Sequence, residues 1–231
     1  FSNKKIRKAI AMAINKEVFI ELFQSGEAEK AESFIPKNIS GANKSFRDEY
    51  KQSKYGMSYN PTNAKTRFQE GLSEMGMSFT SLKNLNLLVK SNETDIKIGN
   101  FIKSQLRENL NLDIAVKSET SQMRSQILGS RDYDFTFESY SSDVADISSY
   151  LGNWTSNNYK NITGWSNLEY EIMLKNGLQE KDLKKRVEIF SKSEEILMDE
   201  LPIAPISFSR KSIIIKDRLE GVKISNISKE L

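Results

Sequence analysis

Between Leu85 and Glu138 the hydrophobic pattern switches back and forth between a two-residue and a helical period, and this alternation limits the fold more than any other feature. Leu85 to Val89 is a short apolar run of strand length. Residues 94–110 then carry Ile98, Phe101, Ile102, Gln105, Leu106 and Leu110 on one side of a strongly amphipathic helix. Leu112, Ile114 and Val116 alternate as a second strand, residues 121–129 read as a brief helix, and 133–138 as a third strand with Tyr133, Phe135 and Phe137 sharing a face. A helix between two strands carries the chain back to the same end of the sheet, so such strands run parallel. The order predicts an α/β unit with a mixed, mostly parallel sheet flanked by helices.

Helices are expected on both sides of this unit. Ile6, Ala9, Ile10, Ala13 and Ile14 recur at intervals of three and four. Asn15 is placed to cap a second segment carrying Val18, Phe19, Leu22 and Phe23, which Gly26 closes. Residues 27–60, with Pro36, Gly41 and Gly56, read as a long polar surface connection. Asn60-Pro61 sets a capping side chain ahead of a proline at the first helical position, with Ala64, Phe68 and Leu72 inward and Gly76 as the stop. Helices at 166–178 and 182–200 follow, the second with Leu183, Val187, Phe190 and Leu197 on one side. Pro202 and Pro205 bound an apolar strand to Phe208, and Ile213 to Ile215 give another.

Composition excludes several function classes. At 231 residues the chain has room for one large domain or two small ones with a proper core. Its 34 basic and 31 acidic residues are interleaved, and a net charge of +3 spread in that way makes no nucleic-acid stripe. No apolar stretch approaches the roughly 20 residues that span a bilayer. Without Cys there is no disulfide, thiolate nucleophile or zinc–thiolate centre, and without His no Ser-His-Asp triad or His-Glu-x-x-His helix. The Asp132/Asp134 spacing lacks the glycine and distal glutamate of a calcium loop, and no Gly-rich phosphate loop is present. Glu194 and Glu195 are adjacent on a helix, so they point about 100° apart and do not converge on one bond. No enzyme, metal or cofactor is expected. The chain opens at Phe1 with neither an initiator Met nor a signal sequence, which points to a piece of a longer protein.

The candidate site lies in the run from Arg131 to Asp146, where the third strand breaks into a polar turn holding Tyr140, Asp143 and Asp146. An aromatic ring beside an unpaired carboxylate suits a ligand with a flat body and a cationic end. Read alone, Asp143 and Asp146 are better placed as caps of a short helix at 146–152, and Tyr140 as a packed aromatic. The carboxyl end of a strand in an open α/β sheet is nonetheless where ligands bind. Trp154 and Trp165, in Asn- and Gly-rich loops, read as a satellite hydrophobic cluster.

The order of these motifs resembles the oligopeptide/dipeptide type of ABC-transporter extracellular solute-binding proteins. Asn3 to Lys16 is similar to the family's Arg-Lys-Ala-rich helix and the turn after it, and Phe34-Ile35-Pro36 to the segment ahead of its polar connection. Tyr59-Asn60-Pro61 with Ala64-Lys65 and Gly71-Leu72 resembles the family's Tyr-Asp-Pro helix. Asp132-Tyr133-Asp134 with Tyr140 to Asp146 looks like its "Asp-Tyr-Asp…Gly-Trp…Asp" run, and Arg186 through Pro205 like its long helix and returning strand. The resemblance implies a type II periplasmic-binding-protein-like lobe: residues 1–201 as the second, closing lobe, and 202–231 as strands returning toward a first lobe of the same protein. It implies an extended peptide held between the lobes and passed to an ABC permease in the membrane. The ligand-binding set it implies is Asp143, on the peptide's amino group, with Tyr140, Ser141 and Phe137. The location it implies is a bacterial cell surface, as a lipoprotein, or the periplasm. The sequence departs from the family in carrying Tyr140 where Trp is usual and Phe137 where some members place an arginine. Two other readings stay open: the same fold with another small solute or a signalling peptide, and a surface interaction domain outside transport.

Overall fold

The computed structural model describes residues 1–51, 55, 58–78, 82, 84–142, 144–210, 216 and 218. Leu87, Leu88 and Val89 are all buried and form the middle of β2 (Asn86–Lys90), the central strand of a three-stranded parallel sheet. An apolar run without alternation is what a strand covered on both faces requires. β3 (Ala115–Glu119) lies on one side with Ala115 opposite Asn86, and β4 (Phe135–Thr136) on the other with Phe135 opposite Leu87. The crossovers are α5 (Glu93–Leu110) and α6 (Ser121–Ser130). Ile98, Ile102, Leu106 and Leu110 of α5 are buried, and a Cβ on Gly99 would meet Val116 Cγ1 at 2.7 Å, so this glycine lets α5 close onto the sheet.

Both outer strands differ from the expected spans. Leu112 and Ile114 are buried as predicted, but they form the approach to β3, because the Leu112 amide is used by Leu106 O at 3.1 Å to finish α5. In β4 the Asp134 carboxylate, not backbone, accepts the Asn86 amide at 2.9 Å, while the Tyr133 hydroxyl donates to Ile162 O at 2.9 Å. Side-chain bonding at its start leaves the strand only two residues long.

The remaining helices begin at side-chain caps, at Asn15 and Asn60 as expected. Asn3 opens α1 (Lys4–Ala13), Asn15 opens α2 (Lys16–Phe23) and Asn60 opens α4 (Pro61–Glu74), each accepting a first-turn amide. α8 (Leu168–Gln179) and α9 (Leu183–Glu200) pack together through Gly177, where a Cβ would lie 2.5 Å from Phe190 Cε1. The 27–60 connection is more ordered than its composition implies. It holds α3 (Phe46–Glu49), with Phe46 fully buried, and β1 (Glu29–Lys30), which pairs antiparallel with β5 (Ser207–Phe208). A two-residue strand has no period to read. The antiparallel pairing sits in this small ladder, and the main sheet is wholly parallel among the described residues. The strand expected after Pro202 shortens to β5, and the one at Ile213 to Ile215 falls outside the described residues.

Lys16 joins two of these parts. It is 2% exposed at the start of α2, and its Nζ donates to Ala31 O at 2.7 Å, one residue beyond β1. Burial is the main influence and pulls its pKa down to about 8 against the opposing charge of Glu32. Between about 8 and the ordinary 10.5 the unfolded chain therefore binds more protons than the folded one. The penalty for burying Lys16 is full below about 8 and fades as pH rises toward 10.5. Lys16→Met is expected to remove this slope. The wild-type-minus-variant difference in unfolding free energy, from urea titrations at the two ends of that window, should rise by about 2–3 kcal/mol.

Candidate functional site

Beyond β4 the chain leaves the sheet at its carboxyl end, and the structure fixes this exit from three sides. Phe137 is half-buried, with its ring 5.9 Å from Phe19, which in turn lies 5.2 Å from Phe23 and 6.1 Å from Phe101. It belongs to an aromatic group shared by α2 and α5. Arg124 of α6 is buried beneath the same segment and donates through Nη2 to Thr136 Oγ1 at 3.1 Å, to Phe137 O at 3.0 Å and to the Glu138 carboxylate.

Tyr140 is half-buried, and its ring packs 5.7 Å from Phe34, 6.1 Å from Tyr150 and 6.2 Å from Trp154. Its hydroxyl donates to Ser149 O at 3.1 Å and accepts from Asn153 Nδ2. The packed aromatic read from sequence is present, together with a hydroxyl held in one orientation. Trp154, 6% exposed, joins this group rather than a separate satellite, and Trp165 packs on Tyr170 at 5.0 Å. Ser141 is exposed. Asp143 lies outside the described residues.

Asp146 does act as a cap. It accepts from Ser148 N at 2.8 Å at the start of α7 (Ile147–Leu151), and Arg186 of α9 reaches both its carboxylate oxygens at 3.0 Å. Burial pushes the Asp146 carboxyl up, but the Ser148 hydrogen bonds and Arg186 outweigh it and hold the group below its ordinary value. Ser148 Oγ donates to Asp146 at 2.5 Å, yet a carboxylate so neutralised is a poor base for a serine nucleophile.

Tyr140, Ser142, Ser149, Asn153, Asn158 and Lys160 surround an open depression of about 300 Å³. Hydroxyls, amides and one ammonium offer hydrogen bonds there. Among the described residues no group of three or more acidic side chains gathers to hold a metal. A larger depression of about 420 Å³ is formed by residues 37–45. Its Ala42, Asn43 and Lys44 amides already donate to Glu49, at 3.0, 2.6 and 3.0 Å.

Sequence reasoning missed a carboxylate that takes four hydrogen bonds. Glu194 is fully buried: Oε1 accepts from Phe34 N at 3.1 Å and Ile35 N at 2.9 Å, and Oε2 from Arg47 and from the Tyr55 hydroxyl at 3.0 Å. The signal was there, since Glu194 falls on the stripe of Val187, Phe190 and Leu197. Glu195 is exposed, so the two acids diverge as helical geometry requires.

The family described as "Bacterial extracellular solute-binding proteins, family 5 Middle" matches residues 1–161, and the chain belongs to it. The oligopeptide-binding protein OppA of Bacillus subtilis is 28% identical over 222 residues, covering 95% of this chain and 40% of that protein. The substrate-binding domain of an oligopeptide ABC transporter from Bacillus anthracis superposes with a TM-score of 0.80 at 25% identity, over 88% of this chain and 39% of that one. Listeria monocytogenes OppA bound to peptide gives 0.77 at 26% identity, over 90% and 39%. The fold is that of a type II periplasmic-binding-protein lobe, as the resemblance implied. The chain spans about 40% of the length of the curated relatives it matches.

Proposed function

We propose that this chain is the closing lobe of a protein that captures oligopeptides outside the bacterial membrane and delivers them to the permease of an ABC importer, without catalysis. The observation that carries the reading is Tyr140, set at the carboxyl end of a parallel strand on a fixed aromatic support, in a chain of the family whose Listeria member was solved with peptide bound. Residues 1–201 form the closing lobe, and 202–231 return toward a first lobe. Asp143 takes the peptide's α-amino group, Tyr140 lies beside it, and Ser141 and Phe137 complete the contact. A carboxylate facing an ammonium forms a charge-assisted bond stronger than a neutral one. Main-chain hydrogen bonds along an extended guest recognise peptides with little regard to their sequence. Hinge closure of the two lobes then presents the loaded form to the permease, at the cell surface or in the periplasm.

The test uses the intact protein and a mixed pool of pentapeptides, with free or N-acetylated amino termini, measured by equilibrium dialysis. Asp143→Ala is expected to cost free-amino peptides about 1.5–3 kcal/mol of binding and acetylated ones little. Equal losses for both pools would remove Asp143 from this role. Binding of sugars or metal chelates in place of peptides, in a thermal-shift screen, would overturn the peptide assignment itself.

A further inference from the structure

We infer that Glu194, charge-paired with Arg47, is a remote positioning residue for the ligand-binding face and acts on Tyr140 through Phe34. The inference rests on the proposed role of Tyr140 as a ligand contact.

Glu194 sits on α9, two residues from Lys192 on the solvent side, yet its own carboxylate is 0% exposed. Both of its oxygens are engaged twice, and the partners come from three separate stretches: Phe34 and Ile35, Arg47, and Tyr55. Arg47 is itself enclosed, its side chain 4% exposed and its Nη1 donating to Tyr50 O at 3.1 Å. A buried carboxylate with every lone pair used holds those partners in one arrangement.

The two amides on Oε1 matter most for the site. They fix the backbone at Phe34, and with it the direction of the Phe34 ring. That ring lies 5.7 Å from Tyr140 and 5.4 Å from Trp154, edge-on to the latter. Tyr140 is thus supported at both ends. Ser149 and Asn153 hold its hydroxyl, and Phe34 backs its ring. Loss of charge on Glu194 loosens the grip on Arg47 and on the 34–35 amides, releases Phe34, and lets the Tyr140 ring tilt. The ligand never touches Glu194, so the pair sets affinity through geometry alone.

A double-mutant cycle in the intact protein separates this role from general support of the fold. Dissociation constants for the free-amino pentapeptide pool are measured for wild type, Glu194→Gln, Tyr140→Ala and the combination. Glu194→Gln is expected to weaken binding roughly tenfold, the size of coupling typical within one contact network. In the Tyr140→Ala background the same substitution should change binding less than twofold, as an order-of-magnitude bound. Phe34→Leu, which leaves the Glu194 carboxylate and its partners in place, should show the same dependence on Tyr140 and carries the comparison if Glu194→Gln does not fold. Equal losses in both backgrounds, or no loss in either, would overturn the positioning role while leaving Tyr140 a ligand contact. Unchanged binding by Tyr140→Ala alone would overturn the ligand-contact reading and this inference with it.

Discussion

Arg47→Met is expected to destabilise the protein by about 3–5 kcal/mol, because it leaves the buried Glu194 carboxylate without its cation. The variant keeps three of the four bonds to that carboxylate: the Phe34 and Ile35 amides and the Tyr55 hydroxyl. Burial and the neighbouring Glu194 push the Tyr55 hydroxyl pKa up, so it remains a donor and not a competing charge. What is lost is the only cation on the group among the described residues, and neutral donors do not replace it. The asymmetry of such pairs gives a second expectation. Arg47→Met combined with Glu194→Gln should recover part of the loss, since the amide side chain carries no charge to desolvate and still offers an acceptor to the Phe34 and Ile35 amides. Urea unfolding of the two variants checks both points. A single-variant loss below about 1 kcal/mol would mean that water or a rearranged partner reaches Glu194.

Phe190→Ala should cost a similar amount, about 3–5 kcal/mol, by a different route. Phe190 is fully buried between α8 and α9, with Gly177 pressed against the edge of its ring and the Arg186 guanidinium 4.9 Å above its centroid. The ring fills the space that a side chain at position 177 would need, so the two positions are coupled. Gly177→Ala alone should destabilise by about 1–3 kcal/mol through overpacking, because its Cβ meets three ring carbons at 2.5 to 3.1 Å. In the Phe190→Ala background the added methyl instead occupies part of the void, and its effect should shrink or change sign. Additive losses in thermal or urea unfolding would show that the helices separate rather than hold their spacing.

The elements that sequence reading placed well share one property: each declares itself within a few residues. Asn15, Asn60 and Gly76 mark helix ends through local hydrogen bonds or a positive φ, and α5 repeats its apolar positions over several turns. The parallel order followed from the alternation alone. What escaped depends on distant partners. β1 exists because Glu29 and Lys30 meet Phe208 and Ser207 late in the chain, and β4 starts late because Asp134 and Tyr133 bond through their side chains. The candidate site divides along the same line. Tyr140 and Asp146 were visible as an aromatic and a cap in a turn. The Arg124, Arg186 and Glu194 contacts that steady them reach across 14, 40 and 159 positions in the chain, and a single sequence carries no sign of such pairings.

The two arginines give the turn between them a thermodynamic character. Arg124 ties its upstream end at Phe137 and Glu138, and Arg186 its downstream end at Asp146. Between these ties Ser142 bonds to Val144, and both reach Ser149 just beyond Asp146. The described residues at these ties give up their freedom when the chain folds. On the proposed function, residues held ready in this way would meet a guest at small entropic cost, which suits guests that differ widely in their side chains.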